Sequence, residues 1–115
     1  MPQHIKPGPR LSAAVVHGGV VYVSGQVPDT PNADVGTQTK EILAKIDRIL
    51  AEAGTDKRRL LNTSIWLYDI TTFDEMNRSW DAWIAPGPAP ARATVEAKIA
   101  NPAWRVEIAV IAAVG

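Results

Sequence analysis

The chain contains no cysteine. That absence excludes a disulfide framework and a thiol nucleophile, and it withdraws the usual ligands of a structural zinc. Neither sign of charge is in excess, since 12 Lys and Arg stand against 12 Asp and Glu. No net field therefore draws the protein onto nucleic acid or an anionic membrane surface, and neither is expected as a partner. No apolar run is long enough to span a bilayer, and the opening MPQHIKPGPR lacks the apolar stretch of a secretory signal. A cytoplasmic location is the resulting expectation. Histidine is scarce: His4 and His17 lie far from any second candidate ligand, so no metal site is expected. At 115 residues the chain makes one domain, residues 1–115, with a single core and no internal boundary.

What is present is an alternation of strand and helix patterns. Residues 13–24, AAVVHGGVVYVS, are β-branched and broken at HGG, which predicts a hairpin turning on glycines. The loop GQVPDTPNAD leads to Asp34, a candidate N-cap. From Val35 the residues Val35, Thr39, Ile42, Leu43, Ile46, Ile49, Leu50 and Ala53 recur three or four apart, an amphipathic helix stopped by Gly54. LLNTSIWLYDI predicts a central strand. Thr72 and Glu75 form a capping-box pattern ahead of a second helix, whose Phe73, Met76, Asn77, Trp80, Trp83 and Ile84 share a face. The prolines of APGPAPA end it. RATVEAKIA and WRVEIAVIAAV follow as strands joined at NP, a connection short enough to allow antiparallel pairing between them. The order ββαβαββ predicts an α+β sandwich, two helices packed on one face of a mixed sheet.

Two helices cannot cover both faces of such a sheet. In the last strand Val106, Ile108, Val110 and Ala112 point one way, and Arg105, Glu107, Ala109, Ile111 and Ala113 the other, so both faces are substantially apolar. The second face is expected to meet other copies of the chain.

Arg92 follows the proline-rich loop and alternates with apolar residues alongside Thr94, Glu96 and Lys98; Glu107 begins the following strand. A guanidinium offers a rigid fork of donors that grips a carboxylate bidentately and stays charged. A glutamate polarises a water, or passes a proton when burial raises its pKa. Together they suit a small 2-substituted acid undergoing hydration or proton transfer; an ion pair on the surface or at an interface fits the same two residues. Spacing does not decide whether they meet within one subunit or across two. VSGQVP lacks the spacing and the following helix of a phosphate loop, which leaves Gly25 to turn geometry. Trp66, Trp80, Trp83 and Trp104 fit core or interface positions better than base-stacking platforms. Ser24 has no His and Asp partners for a hydrolase triad. Asp69 and Asp74 suit capping and solvation at the second helix.

Several segments together resemble the RidA/YjgF family of reactive-intermediate deaminases: VVYVSGQVP at 20–28, QTKEILAKIDRILAEAG at 38–54, LLNTSIWLYDITTFDEMNRSWDAW at 60–83, PARATVE at 90–96 and VEIAVIA at 106–112. The resemblance implies a chorismate-mutase-like fold assembled as a homotrimer, with a pocket at each cleft between subunits. It implies that Arg92 binds the carboxylate of an enamine or imine such as 2-aminoacrylate, that Glu107 assists a water, and that no metal or organic cofactor takes part. Ser24, Gly25 and Gln26, with Asn77, then line or support the cleft, and Thr94 follows Arg92 along the substrate-binding strand. Leu11 stands where many deaminating members carry an aromatic residue, and Ala109 where a second glutamate is common, which marks a divergent branch. A carboxylate-sensing trimer without catalysis, and a ribonuclease or translation inhibitor, are the other functions the resemblance admits.

Overall fold

A computed structural model describes residues 1–115. The hairpin forms where glycine permits it. Gly18 and Gly19 have φ of 61° and 77°, a two-residue turn that pairs His17 of β2 (Ser12–His17) with Val20 of β3 (Val20–Gln26). Helix α1 (Val35–Glu52) starts at Asp34, whose Oδ1 accepts the Thr37 N–H at 2.7 Å, and ends before Gly54 at φ 81°. Its apolar stripe, from Val35 to Leu50, is buried against the sheet.

Helix α2 (Phe73–Ile84) starts differently from the capping-box pattern. A 3-10 turn over Ile70–Thr72, capped by Asp69, runs straight into it, so Thr72 lies near helical geometry rather than in the extended form an N-cap needs. The Thr72 hydroxyl donates to the Asp69 carbonyl instead. Glu75 is thereby free to reach α1, where it accepts the Gly36 N–H at 3.2 Å, and Ser79 Oγ donates to the Gly36 carbonyl at 3.0 Å. The expected cap has become a tether between helices.

The sheet has six strands in the order β1-β2-β3-β6-β4-β5. Strand β1 (Gln3–Pro7) was not legible in the sequence, because three prolines and a glycine crowd the first ten residues. It is an edge strand anchored by buried Ile5, a place where Pro7 removes no ladder hydrogen bond. The second difference concerns the last three strands. β5 (Ala91–Glu96) runs parallel to β4 (Leu60–Leu67), and β6 (Val106–Ala113) lies antiparallel between β3 and β4. The pairing of β5 with β6 that the NP connection allows does not occur: β5 stops at Glu96 rather than Ala100, and residues 97–105 carry the chain past the end of β4.

A buried amide holds that connection. Gln38 on α1 donates through Nε2 to the carbonyls of Thr30 and Ala103, both at 3.0 Å, and accepts the Arg105 N–H at 2.7 Å. One side chain thus fixes two loops against the start of β6 and leaves no donor or acceptor of its own unpaired. Ile42, Ile46, Leu50 and Met76 pack on Val21, Ile65, Ile108 and Val110 to form the core. Truncating one of the central isoleucines to Ala costs about 2–5 kcal/mol. Both helices lie on this side. The other face, with Tyr22, Trp66, Val95, Glu107, Ala109 and Ile111, has no covering layer in the chain, and Tyr22 and Val95 are about half exposed.

Candidate active site

Strand β5 forms the rim of the sheet and places Arg92 opposite Thr63 of β4, on the helix-covered side. There the α2 residues Phe73, Asn77 and Trp80, spaced i, i+4 and i+7, present one stripe to it. The guanidinium lies 5.2 Å from the centre of the Trp80 ring and 5.7 Å from that of Phe73, while Nη1 donates to Asn77 Oδ1 at 2.8 Å. No carboxylate pairs with it: the ion pairs of the chain join Lys6 to Glu52, Lys45 to Asp29 and Arg58 to Asp56. Burial draws its pKa down from the ordinary value, and the field of Asp81 opposes that shift. A guanidinium stays charged at physiological pH in either case. Before it opens a cleft of about 600 Å³ bordered by Asn77, Trp80, Asp74, Asp81 and Pro90. A fixed cation with an unshared donor edge, facing a cleft, is suited to receiving an anion.

Glu107 stands on the other side of the sheet. It pairs in register with Trp66 of β4, and the register between β3 and β6 shifts by one residue between Val23 and Gln26, a bulge containing Ser24 and Gly25. The bulge brings the Gly25 backbone against the Glu107 side chain, so that a Cβ there would overlap Oε2 and lie 3.0 Å from Cδ. A side chain at position 25 would therefore displace the Glu107 carboxyl from where it lies. Gly25 has no positive φ, which corrects the turn-geometry reading. Burial pushes the Glu107 pKa up, with no offsetting cation or hydrogen bond in the chain.

The expected residues thus fall into two groups. Arg92, Asn77 and Thr94 share the helix-covered side; the Thr94 hydroxyl is buried without a partner, as is that of Thr63 on β4. Glu107 and Gly25 share the uncovered side. Beside them Ser24 Oγ donates to the Ser12 carbonyl at 2.5 Å, which ties the bulge to the start of β2 next to exposed Leu11, and Gln26 Nε2 donates to the Ser24 carbonyl. Strand geometry puts Arg92 and Glu107 about 14 Å apart at Cα, from two strand spacings across and three residues along, and they point to opposite faces. One chain does not bring them together. No three His, Asp or Glu side chains gather as a metal site. Phe73 and Trp80, the platform under Arg92, were absent from the sequence reading as site residues; their shared helical stripe with Asn77 was the available signal.

The fold and site define a small α+β protein with a helix-backed arginine at the sheet rim and a shielded carboxyl on its bare face. The family model described as Endoribonuclease L-PSP matches residues 1–114. The chain is 44% identical over 105 residues to a RutC family protein of Haemophilus ducreyi, covering 91% of this chain and 90% of that one. Among solved structures it resembles NMB1025 of Neisseria meningitidis, a YjgF family member, at 44% identity and a TM-score of 0.95, covering 100% and 96% of the two chains. It also resembles YyfA of Yersinia pestis, of the Rid family, at 30% identity and a TM-score of 0.93, covering 99% and 100%. The chain belongs to the RidA/YjgF family. No helix in it is long and apolar enough to cross a membrane.

Proposed function

We propose that the protein is an enamine/imine deaminase that converts 2-aminoacrylate-type intermediates to 2-keto acids and ammonia, working as a homotrimer without metal or organic cofactor. The observation that carries this reading is Arg92: a cation held by a neutral amide and two aromatic rings, with no carboxylate on it and a cleft before it. Its free edge grips the substrate carboxylate. The enamine tautomerises to the imine by moving a proton to its terminal carbon. The imine nitrogen takes a proton from solvent; water then adds to the iminium carbon with Glu107 taking a water proton, and the carbinolamine, protonated on nitrogen, expels ammonia as the hydroxyl loses its proton to solvent and the keto group forms. Each turnover consumes one water and releases one ammonia. Since Arg92 and Glu107 of one chain face apart, the second group comes from a neighbouring copy seated against the uncovered face. The even charge balance offers RNA no basic groove, which sets a ribonuclease below this reading.

The test generates 2-aminoacrylate with a pyridoxal-phosphate dehydratase and follows pyruvate release. Wild type is expected to accelerate release and Arg92→Ala not to. Carboxylate binding by calorimetry with release no faster than buffer would establish the non-catalytic sensor instead, and RNA cleavage surviving in Arg92→Ala would remove this pocket from the function.

A further inference from the structure

Strand β6 lies between β3 and β4, so the Glu107 side chain has a neighbour on each flank of the uncovered face. Trp66 of β4 is its in-register partner, which sets their Cβ atoms about 5 Å apart. On the β3 flank the Gly25 backbone abuts the carboxyl. The remaining groups around it are few. On β6 itself Arg105, two residues back, donates through Nε to the Ala33 carbonyl at 2.9 Å. β4 presents Ser64 and, beyond Trp66, Tyr68; β3 presents Tyr22 and Ser24. Neither flanking strand carries a Lys, Arg, His, Asp or Glu. The helices pack on the opposite face.

We infer that Trp66 is a positioning residue for the reaction: its indole, with the Gly25 backbone, shields the Glu107 carboxyl and sets the proton affinity with which that group works. The inference rests on the catalytic reading of Glu107. Proton transfer is most efficient when the acid and base forms are both accessible near the working pH. Neutral Glu107 gives its O–H proton to the carbinolamine nitrogen. The C–N bond then breaks with its electron pair leaving on ammonia, the hydroxyl oxygen forms the keto C=O and releases its proton to solvent, and the carboxylate regains a proton from the water that adds in the next turnover. A carboxyl fully open to water would be almost wholly ionised at neutral pH and a poor donor in the departure step.

The test compares wild type with Trp66→Thr and Trp66→Phe. Glu107 is titrated by NMR on carboxyl-labelled glutamate, assigned by its loss in Glu107→Gln, beside the pH dependence of kcat/KM on 2-aminoacrylate. In Trp66→Thr the carboxyl is expected to titrate at lower pH, and the limb of the rate profile that reports Glu107 to move down with it. Trp66→Phe, which keeps aromatic cover, is expected to restore both. An unmoved titration in folded Trp66→Thr overturns the inference. A titration that moves while the rate profile stays put overturns the catalytic role of Glu107, and with it the positioning role. If Trp66→Thr does not fold, Trp66→Leu is read in the same way: a smaller downward shift supports the inference and no shift overturns it.

Discussion

The two faces of the sheet treat their ionisable residue in opposite ways. On the helix-covered side Arg92 is supported by α2: Asn77 takes one nitrogen, and Trp80 and Phe73 back the guanidinium. On the bare side Glu107 has Trp66 as its in-register neighbour and the Gly25 backbone against its carboxyl, and no ion pair or side-chain hydrogen bond. On the proposed function, the difference separates two tasks. A group that must grip is fixed in orientation with its charge kept, whereas a group that must exchange a proton is left unpaired so that its charge is costly. On the proposed function, it also means that Arg92 and Glu107 reach one substrate only from different copies of the chain.

Removing the grip should have the largest effect. Arg92→Ala is expected to lower kcat/KM for 2-aminoacrylate by at least about 100-fold, or about 3 kcal/mol of transition-state stabilisation, and Arg92→Lys should recover only part of it because an ammonium lacks the planar fork. Steady-state pyruvate release measures both. On the opposite face Gly25→Val forces a side chain into the space of the Glu107 carboxyl, which should cost about 1–3 kcal/mol in urea denaturation and most of the activity. An unchanged stability would show that the bulge yields and that the close approach is not required.

Asn77→Ala tests the support rather than the grip. Losing one charge-assisted bond of about 1.5 kcal/mol should raise KM roughly tenfold with kcat little changed, provided the aromatic platform alone keeps the plane in place. A fall in kcat alone would mean that Asn77 acts in the chemistry. The smallest expected change in stability has the opposite sign. The Glu107 pKa is raised on folding, so between its unfolded and folded values the native state binds more protons than the unfolded one, and stability declines as pH rises through that window. Glu107→Gln should therefore be inactive yet melt higher than wild type at neutral pH, with the gain shrinking below the ordinary carboxylate range.

Much of this could be read from the chain before the structure. The i, i+3, i+4 stripe of Val35–Leu50, the Asp34 cap and the glycine turn at 18–19 are local features, and they are encoded locally. The bare face also followed from strict alternation in β6. What escaped was long-range or single-residue in origin. The connection that carries the chain to β6, between β3 and β4, is held by the Gln38 amide, a polar residue beside an apolar stripe with nothing nearby to mark it. Strand β1 depends on one isoleucine among prolines. The Thr72–Glu75 pattern matched a local motif, but Glu75 found a partner 39 residues away. At the site, the residue types at 92 and 107 were legible. Their placement on opposite faces was not, because it requires β4 to run between the two strands.

The two rims of the sheet are also unequal. At the β1 rim Pro7 lacks an N–H and Lys6 is bent into a left-handed conformation with φ 46°, whereas β5 ends the sheet as a regular strand bonded on one flank only. A further strand can add at the β5 rim but finds no flat template at β1. Edge-to-edge stacking of identical chains consequently stops after a single joint, and this protein has no route to an endless ribbon.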